Sequence, residues 1–165
     1  MLNCGRLKPK IEIFEPQKVF NLVRDMFVDL CRMHGKKLIF KNLNHAFINL
    51  PIRDLRMLMV QADKILEDFQ PYIRGDKMRL TQVLINLIKN SIKFCNNGGT
   101  IVVISAFNPH NNIMTVSVLD TGKGIDETDK TKLFHLFGKL ESTADINVEG
   151  SGMGLVICKR LVKAN

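Results

Sequence analysis

The stretch of residues 76–94, DKMRLTQVLINLIKNSIKF, is the feature that most constrains the fold. Asp76 is a favourable N-cap, and the residues after it predict a helix over Lys77–Phe94. One side of this helix is an ordinary apolar core face, formed by Val83, Leu84, Leu87, Ile88 and Ile92. Residues four and seven positions apart share a face, so the opposite side carries two amides and one cation: Asn86, Asn90 and Lys93. Asparagine normally belongs to caps and turns, so this stripe is either a solvated surface with chance asparagines or the wall of a site.

The remaining hydrophobic periodicity predicts a mixed α/β domain. Strands are expected at residues 10–14 and 36–42, and an antiparallel hairpin is expected from strands at 100–107 and 113–120. Helical spacing predicts further helices at residues 16–34, 52–69, 131–136 and 153–163, although the block 57–60 also fits a strand. This order predicts a single domain over residues 1–165, a two-layer α/β (α+β) sandwich whose mixed sheet has helices packed on one face.

Composition and charge narrow the classes of partner. The chain carries a formal net charge of +8, which suits nucleic acid, an acidic membrane surface or a phosphorylated ligand. Its lysines and arginines are scattered, and it has no tryptophan and one tyrosine, so nucleic-acid binding is not expected. No run of eighteen apolar residues and no signal-peptide core occur, so no membrane contact is expected of this domain. Four scattered cysteines without a CxxC pair predict free thiols in a reducing, cytoplasmic compartment and argue against a zinc site.

Two glycine-rich motifs are candidates for ligand contact. LDTGKGI (residues 119–125) places Asp120 at the end of an apolar strand, where its carboxylate could accept a hydrogen bond from an exocyclic amine. The alternative for this motif is a plain turn. GSGMGL (residues 150–155) has alternate glycines before a helix, where exposed N–H groups can bind phosphate. It is neither a Walker loop, because no GK[ST] follows, nor a Rossmann fingerprint, because no strand precedes it.

Taken together, these motifs resemble the catalytic ATP-binding domain of sensor histidine kinases, which has the Bergerat nucleotide-binding fold. The resemblance runs from about Gly5 to the last residue. Residues 76–94 resemble the family's N box, and LDTGKGI resembles its first glycine box. LFHLF (residues 133–137) resembles its phenylalanine box, and EGSGMGL (residues 149–155) resembles its second glycine box. Four boxes in the family's order make coincidence a poor explanation.

The resemblance implies that the asparagine stripe binds Mg²⁺ and ATP. Asn90 corresponds to the ligand of the Mg²⁺ that bridges the ATP phosphates, and Asn86 lines the same site. Neutral amide oxygens suit a hard cation that already carries phosphate and water. Lys93 corresponds to a phosphate contact, and Phe94 to a residue beside the adenine. Asp120 corresponds to the acceptor of the adenine amine, which selects adenine over guanine.

The glycine boxes complete the implied site. Three residues are expected to shape the base pocket: Gly122, Gly124 and Ile125. An ATP lid is expected at residues 138–150, with Lys139 as its basic residue. Three glycines are expected to hinge this lid, followed by one further nucleotide-binding position: Gly150, Gly152, Gly154 and Leu155. Phe134 and Phe137 are expected to anchor the lid as core residues more than to contact the ligand.

Three classes of function are open from the sequence. The first is a kinase domain that transfers the γ-phosphate of ATP to a histidine. The others are an ATP-gated conformational module, as in the chaperone, topoisomerase and mismatch-repair relatives, and a non-catalytic nucleotide-binding module. Those hydrolytic relatives have a glutamate where this chain has Asn86, which disfavours water activation.

The resemblance also implies partners. No histidine of the chain lies in an acceptor box, so the acceptor is expected on a separate helical dimerisation domain, followed by a response-regulator receiver domain.

Two departures from the family pattern stand out. The segment of residues 43–69, between the second strand and the N box, is longer than the family's usual connection there and is predicted to be an inserted helix. The family's final strands are expected to be missing, which would leave the sheet with an unpaired edge.

Overall fold

The computed structural model describes residues 8–43, 72–130, 133–134 and 153–163. Within these ranges the strands are β1 (Glu12–Phe14), β2 (Lys37–Leu43), β3 (Ile73–Gly75), β4 (Thr100–Asn108) and β5 (Ile113–Asp120). The helices are α1 (Pro16–Met33), α2 (Lys77–Phe94), α3 (Glu127–Lys130) and α4 (Gly154–Lys163). No helix in these ranges is long and apolar enough to cross a membrane.

The main sheet has the order β2-β4-β5 and is mixed, as predicted. β2 runs parallel to β4, with Lys37 opposite Thr100, and β4 runs antiparallel to β5, with Ile101 opposite Asp120. β1 and β3 form a separate antiparallel pair in which Phe14 lies opposite Ile73. The register places Asp120 at the end of the hairpin where β4 begins, far from the hairpin turn.

The core lies between the sheet and the helices. Buried residues of α1, α2 and the sheet form one cluster that includes Val19, Phe20, Val23, Phe27, Leu84, Ile88, Ile101 and Val103. In α2 only the central positions of the predicted apolar face, Leu84 and Ile88, are fully buried, while Val83, Leu87 and Ile92 are half-buried. α2 therefore joins the sheet on one side and carries its polar row on the other.

The capping prediction for α2 is confirmed in detail. Asp76 is buried, and its Oδ1 accepts the N–H of Arg79 at 3.0 Å. Its Oδ2 accepts the N–H of Lys10 at 2.9 Å and lies 3.3 Å from the Arg79 Nε. Burial would raise the pKa of this carboxyl, but the N–H groups of Arg79 and Lys10 and the Arg79 guanidinium outweigh it and lower its pKa. The cap thus ties the helix start to the chain before β1.

Replacing Asp76 by alanine is expected to destabilise the fold. The variant loses the cap and leaves buried N–H donors without an acceptor. We expect the free energy of unfolding to fall by about 2–3 kcal/mol and the melting temperature to fall by about 5–10 °C. Because the folded-state pKa is lowered, this contribution is present above the unfolded-state pKa of about 4 and is lost progressively as the pH falls through the lower folded-state pKa. Calorimetric melting of wild type and variant from about pH 7 down to about pH 2 should show the gap closing at the acid end. Asp29→Ala, with a side chain 75% exposed on α1, serves as the control, and equal loss in both variants would contradict the capping role.

Several predicted boundaries need correction. α1 ends at Met33 and α4 begins at Gly154, each within one residue of the prediction. The short helix predicted at 131–136 is wrong for Leu133 and Phe134, which lie in a turn, and its other residues lie outside the described residues. The structure has a short helix just before it, α3 at Glu127–Lys130. Acidic residues suit the first turn of a helix, and Asp126 O accepts the N–H of Lys130 at 3.1 Å, which explains a helix at this position. The predicted helix at 52–69 lies outside the described residues, as do residues 44–71 of the connection.

Candidate functional site

The polar row of α2 is half-buried along its length. Asn86, Asn90 and Lys93 are all intermediate in exposure, so the row is not a freely solvated face. The Lys93 Nζ lies 5.5 Å from the centroid of the Phe94 ring, which places a cation over an aromatic face. α2 thereby brings two amides, a cation and an aromatic ring to one side.

Asn86 lies where α2 packs against α4. Its Nδ2 is buried and has no hydrogen-bond partner among the residues that the structure describes. Cys158 of α4 is buried here, and its thiol donates to Val83 O at 3.9 Å. Burial raises the pKa of this thiol, and the Asn86 amide, which would donate to the sulfur in its thiolate form, offsets part of the rise. In the neutral form the thiol is itself the donor, to Val83 O, so it does not satisfy the Asn86 N–H. A buried unpaired N–H is costly, so this position favours a ligand that offers an acceptor.

The Asp120 carboxylate is held on both of its oxygens. Ser91 Oγ, from the buried side of α2, donates to Oδ2 at 3.1 Å. The backbone N–H of Gly122 donates to Oδ1 at 2.9 Å. A carboxylate has about four lone-pair positions, so the two described bonds leave it able to accept another donor.

Gly122 lies too close to neighbouring atoms for any residue with a Cβ atom. A Cβ at this position would lie 2.5 Å from the carbonyl oxygen of Phe94 and 2.7 Å from Asp120 Oδ1. Gly124 serves a different purpose, because its φ of 77° favours glycine while its Cβ position is open. Ile125 is 47% exposed, so it borders the loop without entering the core.

Residues beside Asp120 tie this loop to the sheet. Thr121 N–H donates to Thr100 O at 3.1 Å, and Thr121 Oγ1 accepts the N–H of Thr100 at 2.9 Å. The side-chain amide of Asn96 donates to Thr121 O at 3.2 Å. Asp120 is therefore fixed by the start of β4 and by the turn after α2. Ser91, Asn96 and Thr121 were not predicted as site residues, because only the long-range hydrogen bonds show their roles.

Part of the predicted lid region lies outside the described residues. This applies to Lys139, Gly150 and Gly152 and to the lid at 138–150. Gly154 is the first residue of α4, and Leu155 beside it is half-buried. Phe134 is 45% exposed, and the Lys159 Nζ of α4 lies 4.9 Å from its ring centroid. The described end of the phenylalanine box thus contacts α4, which in turn packs on α2.

The donor set suits Mg²⁺ only if a ligand completes it. Among residues 8–43, 72–130, 133–134 and 153–163, no group of three or more His, Cys, Asp or Glu residues could hold a metal ion. Mg²⁺ commonly keeps several waters and binds one or two protein oxygens together with phosphate. The half-buried Asn90 could supply one such amide oxygen, and the Asn86 N–H could donate to a phosphate oxygen of a bound ligand.

Sequence comparisons find similarity to sensor histidine kinases and to one family model. The family model described as "Histidine kinase-, DNA gyrase B-, and HSP90-like ATPase" matches residues 75–165. The sensor histidine kinase WalK of Bacillus subtilis is 33% identical over 161 residues, which cover 92% of this chain and 26% of WalK. The sensor histidine kinase RcsC of Escherichia coli is 36% identical over 121 residues, which cover 73% of this chain and 12% of RcsC. The chain therefore spans about a quarter or less of these curated relatives.

Solved structures share the fold. The catalytic domain of histidine kinase ThkA aligns with a TM-score of 0.64 at 24% identity, covering 93% of this chain and 82% of that chain. Full-length ShkA aligns with a TM-score of 0.70 at 19% identity, covering 97% of this chain and 27% of that chain. The predicted mixed sheet with packed helices is thus confirmed by geometry and by likeness.

Proposed function

This chain belongs to the histidine kinase-, DNA gyrase B- and HSP90-like ATPase family, and from that premise we propose that it binds Mg²⁺ and ATP and transfers the γ-phosphate to a histidine of a sensor kinase. Phosphoryl transfer needs mainly positioning and neutralisation of charge. The family membership predicted from the four boxes is confirmed.

The observation that carries the proposal is the Asp120 carboxylate. It lies at the end of β5, is oriented by Ser91 and Gly122, and retains acceptor capacity. The 6-amine of adenine is a donor that matches this acceptor, whereas guanine presents a carbonyl oxygen there and would be repelled. Gly122 allows the loop to approach closely, and we assign Gly124 and Ile125 to the rim of the base pocket.

The phosphates are assigned to the polar row of α2. Asn90 would hold Mg²⁺, which supplies charge neutralisation for the phosphates when bound. Asn86 would donate its unpaired N–H to a phosphate oxygen, and Lys93 would turn from the Phe94 ring towards the phosphates. The assignments of Lys139, Gly150, Gly152, Gly154 and Leu155 to the lid and its hinge stay predictions.

The acceptor histidine is proposed to lie on another domain. His34 follows α1 and His110 lies in the β4–β5 turn; both are exposed, and neither belongs to the site described above. A helical dimerisation domain would present the acceptor, and a response-regulator receiver domain would take the phosphoryl group onward. A cytoplasmic location of the domain is part of this proposal, since the receiver domain and the ATP that it requires would be found there.

Phosphotransfer in trans is the experiment that tests this function. Incubation with γ-labelled ATP and Mg²⁺ should leave this chain unlabelled and should label a helical phosphoacceptor domain of a sensor histidine kinase, in an acid-labile bond. Asn90→Ala should abolish that label. Stable label on this chain alone would contradict the kinase assignment. A second version of the experiment fuses the acceptor domain to this chain. If the fusion binds ATP but its acceptor domain stays unlabelled, an ATP-gated or non-catalytic module is favoured.

A further inference from the structure

Ser91 is an unusual residue for the middle of α2. It is 5% exposed, and alanine would be the better helix former at such a position. A hydroxyl inside a helix usually bonds back to the carbonyl four residues earlier, as Thr81 does to Lys77 O at 2.8 Å. Ser91 instead donates across the fold to Asp120 Oδ2 at 3.1 Å. Its hydroxyl is therefore satisfied by a residue 29 positions away in sequence.

The two bonds to Asp120 come from different elements. Gly122, in the loop after β5, holds Oδ1, and Ser91, on α2, holds Oδ2. Gly122 moves with Asp120 because it lies two residues further along the same loop. Ser91 is thus the described contact that fixes the carboxylate relative to α2, the helix that carries Asn90 in the preceding position.

We propose that Ser91 is a positioning residue for adenine recognition, which orients the Asp120 carboxylate towards the 6-amine of the base. This inference rests on the proposed function, since it names a residue that acts through Asp120 on the same nucleotide. Ser91 follows Asn90 directly, so one rigid turn of α2 sets both the cation end and the base end of the site. A substitution at Ser91 therefore changes recognition of the amine without removing a ligand contact.

The test compares two nucleotides that differ only at the amine. Ser91→Ala should bind ATP about five- to tenfold more weakly than wild type, the effect of one misdirected hydrogen bond. Purine riboside triphosphate lacks the 6-amine, and its affinity should stay within about twofold. A merely structural role of Ser91 would weaken both nucleotides equally, so equal losses would overturn the proposal. Unchanged ATP affinity would also overturn it.

A second pair of variants isolates the hydroxyl from the shape. Ser91→Thr keeps the hydroxyl, whereas Ser91→Val introduces a side chain of nearly the same volume as threonine without a hydroxyl. Only the valine variant should therefore lose its preference for ATP over purine riboside triphosphate. Ser105→Ala is the matched control, because Ser105 is also buried and bonds to Asn42, at the other end of the strands. It should lower the melting temperature and leave the preference unchanged. If the wild-type chain binds neither nucleotide, the proposed function itself is refuted. That outcome differs from failure of the Ser91 inference, in which the wild-type chain still binds ATP.

Discussion

Asp120→Asn is expected to weaken ATP binding about 10- to 100-fold, because a donor replaces an acceptor in a partly buried site. The asparagine would place an N–H either against the adenine amine or against the N–H of Gly122, which now donates to Oδ1 at 2.9 Å. One mismatch remains in every orientation of the new side chain. The variant should keep its fold, since size and shape are conserved. Isothermal titration with ATP and Mg²⁺ measures the change in ATP affinity, and a melting curve of the same variant shows whether the fold is kept.

A charge-matched control separates the local effect from the loss of one negative charge. Asp29→Asn removes a carboxylate whose side chain is 75% exposed on α1, and it should bind ATP as wild type does. GTP gives a further check, because the carbonyl of guanine can accept from the new amide. The ratio of ATP to GTP affinity should therefore fall in Asp120→Asn. Equal ATP affinity in wild type and Asp120→Asn would contradict the assignment of the base pocket.

The fold was predictable where a cap or turn residue adjoined a long segment with regular apolar spacing. Asp76 and the apolar spacing after it predicted α2 with both ends correct, and alternation with turn residues predicted the β4–β5 hairpin. β3 was missed because three residues, Ile73–Gly75, are too few to show alternation. Its strand character comes from pairing with β1, which is separated from it by about sixty residues and leaves no trace in the local pattern.

The candidate site was predictable only in part. The asparagine row and Asp120 were found from helical spacing and from the glycine box, and the structure places them on α2 and at the end of the neighbouring β5. Ser91 was missed because it belongs to the buried side of α2 by spacing, and only tertiary folding shows that its hydroxyl reaches Asp120. The role of Asn96 was missed for the same reason. Hydrogen bonds between distant residues leave no periodicity for sequence analysis to detect.

The insert at 43–69 and the lid at 138–150 stay predictions. Leu43 is the last residue of β2, and the rest of the insert lies outside the described residues, as does the whole lid. The single domain over residues 1–165 also stays a prediction.

Loss of the Mg²⁺ effect is expected in Asn90→Ala. In wild type, Mg²⁺ should tighten ATP binding on the order of tenfold, because Asn90 would supply an oxygen ligand to a cation that neutralises the phosphates. Without that oxygen the gain should disappear, while ATP alone should bind almost as before through Asp120. Asn111→Ala is the matched control, an exposed amide in the hairpin turn at the far end of β5. It should keep the full Mg²⁺ effect.

Titration of the wild-type chain with ATP, in the presence and absence of Mg²⁺, tests the central claim most directly. The claim is that α2 and the end of β5 together hold Mg²⁺ and an adenine nucleotide. Saturable binding of one ATP per chain is expected, tighter with Mg²⁺ and clearly preferred over GTP. Absence of ATP binding in a chain that melts cooperatively, or equal affinity for ATP and GTP with no effect of Mg²⁺, would contradict it.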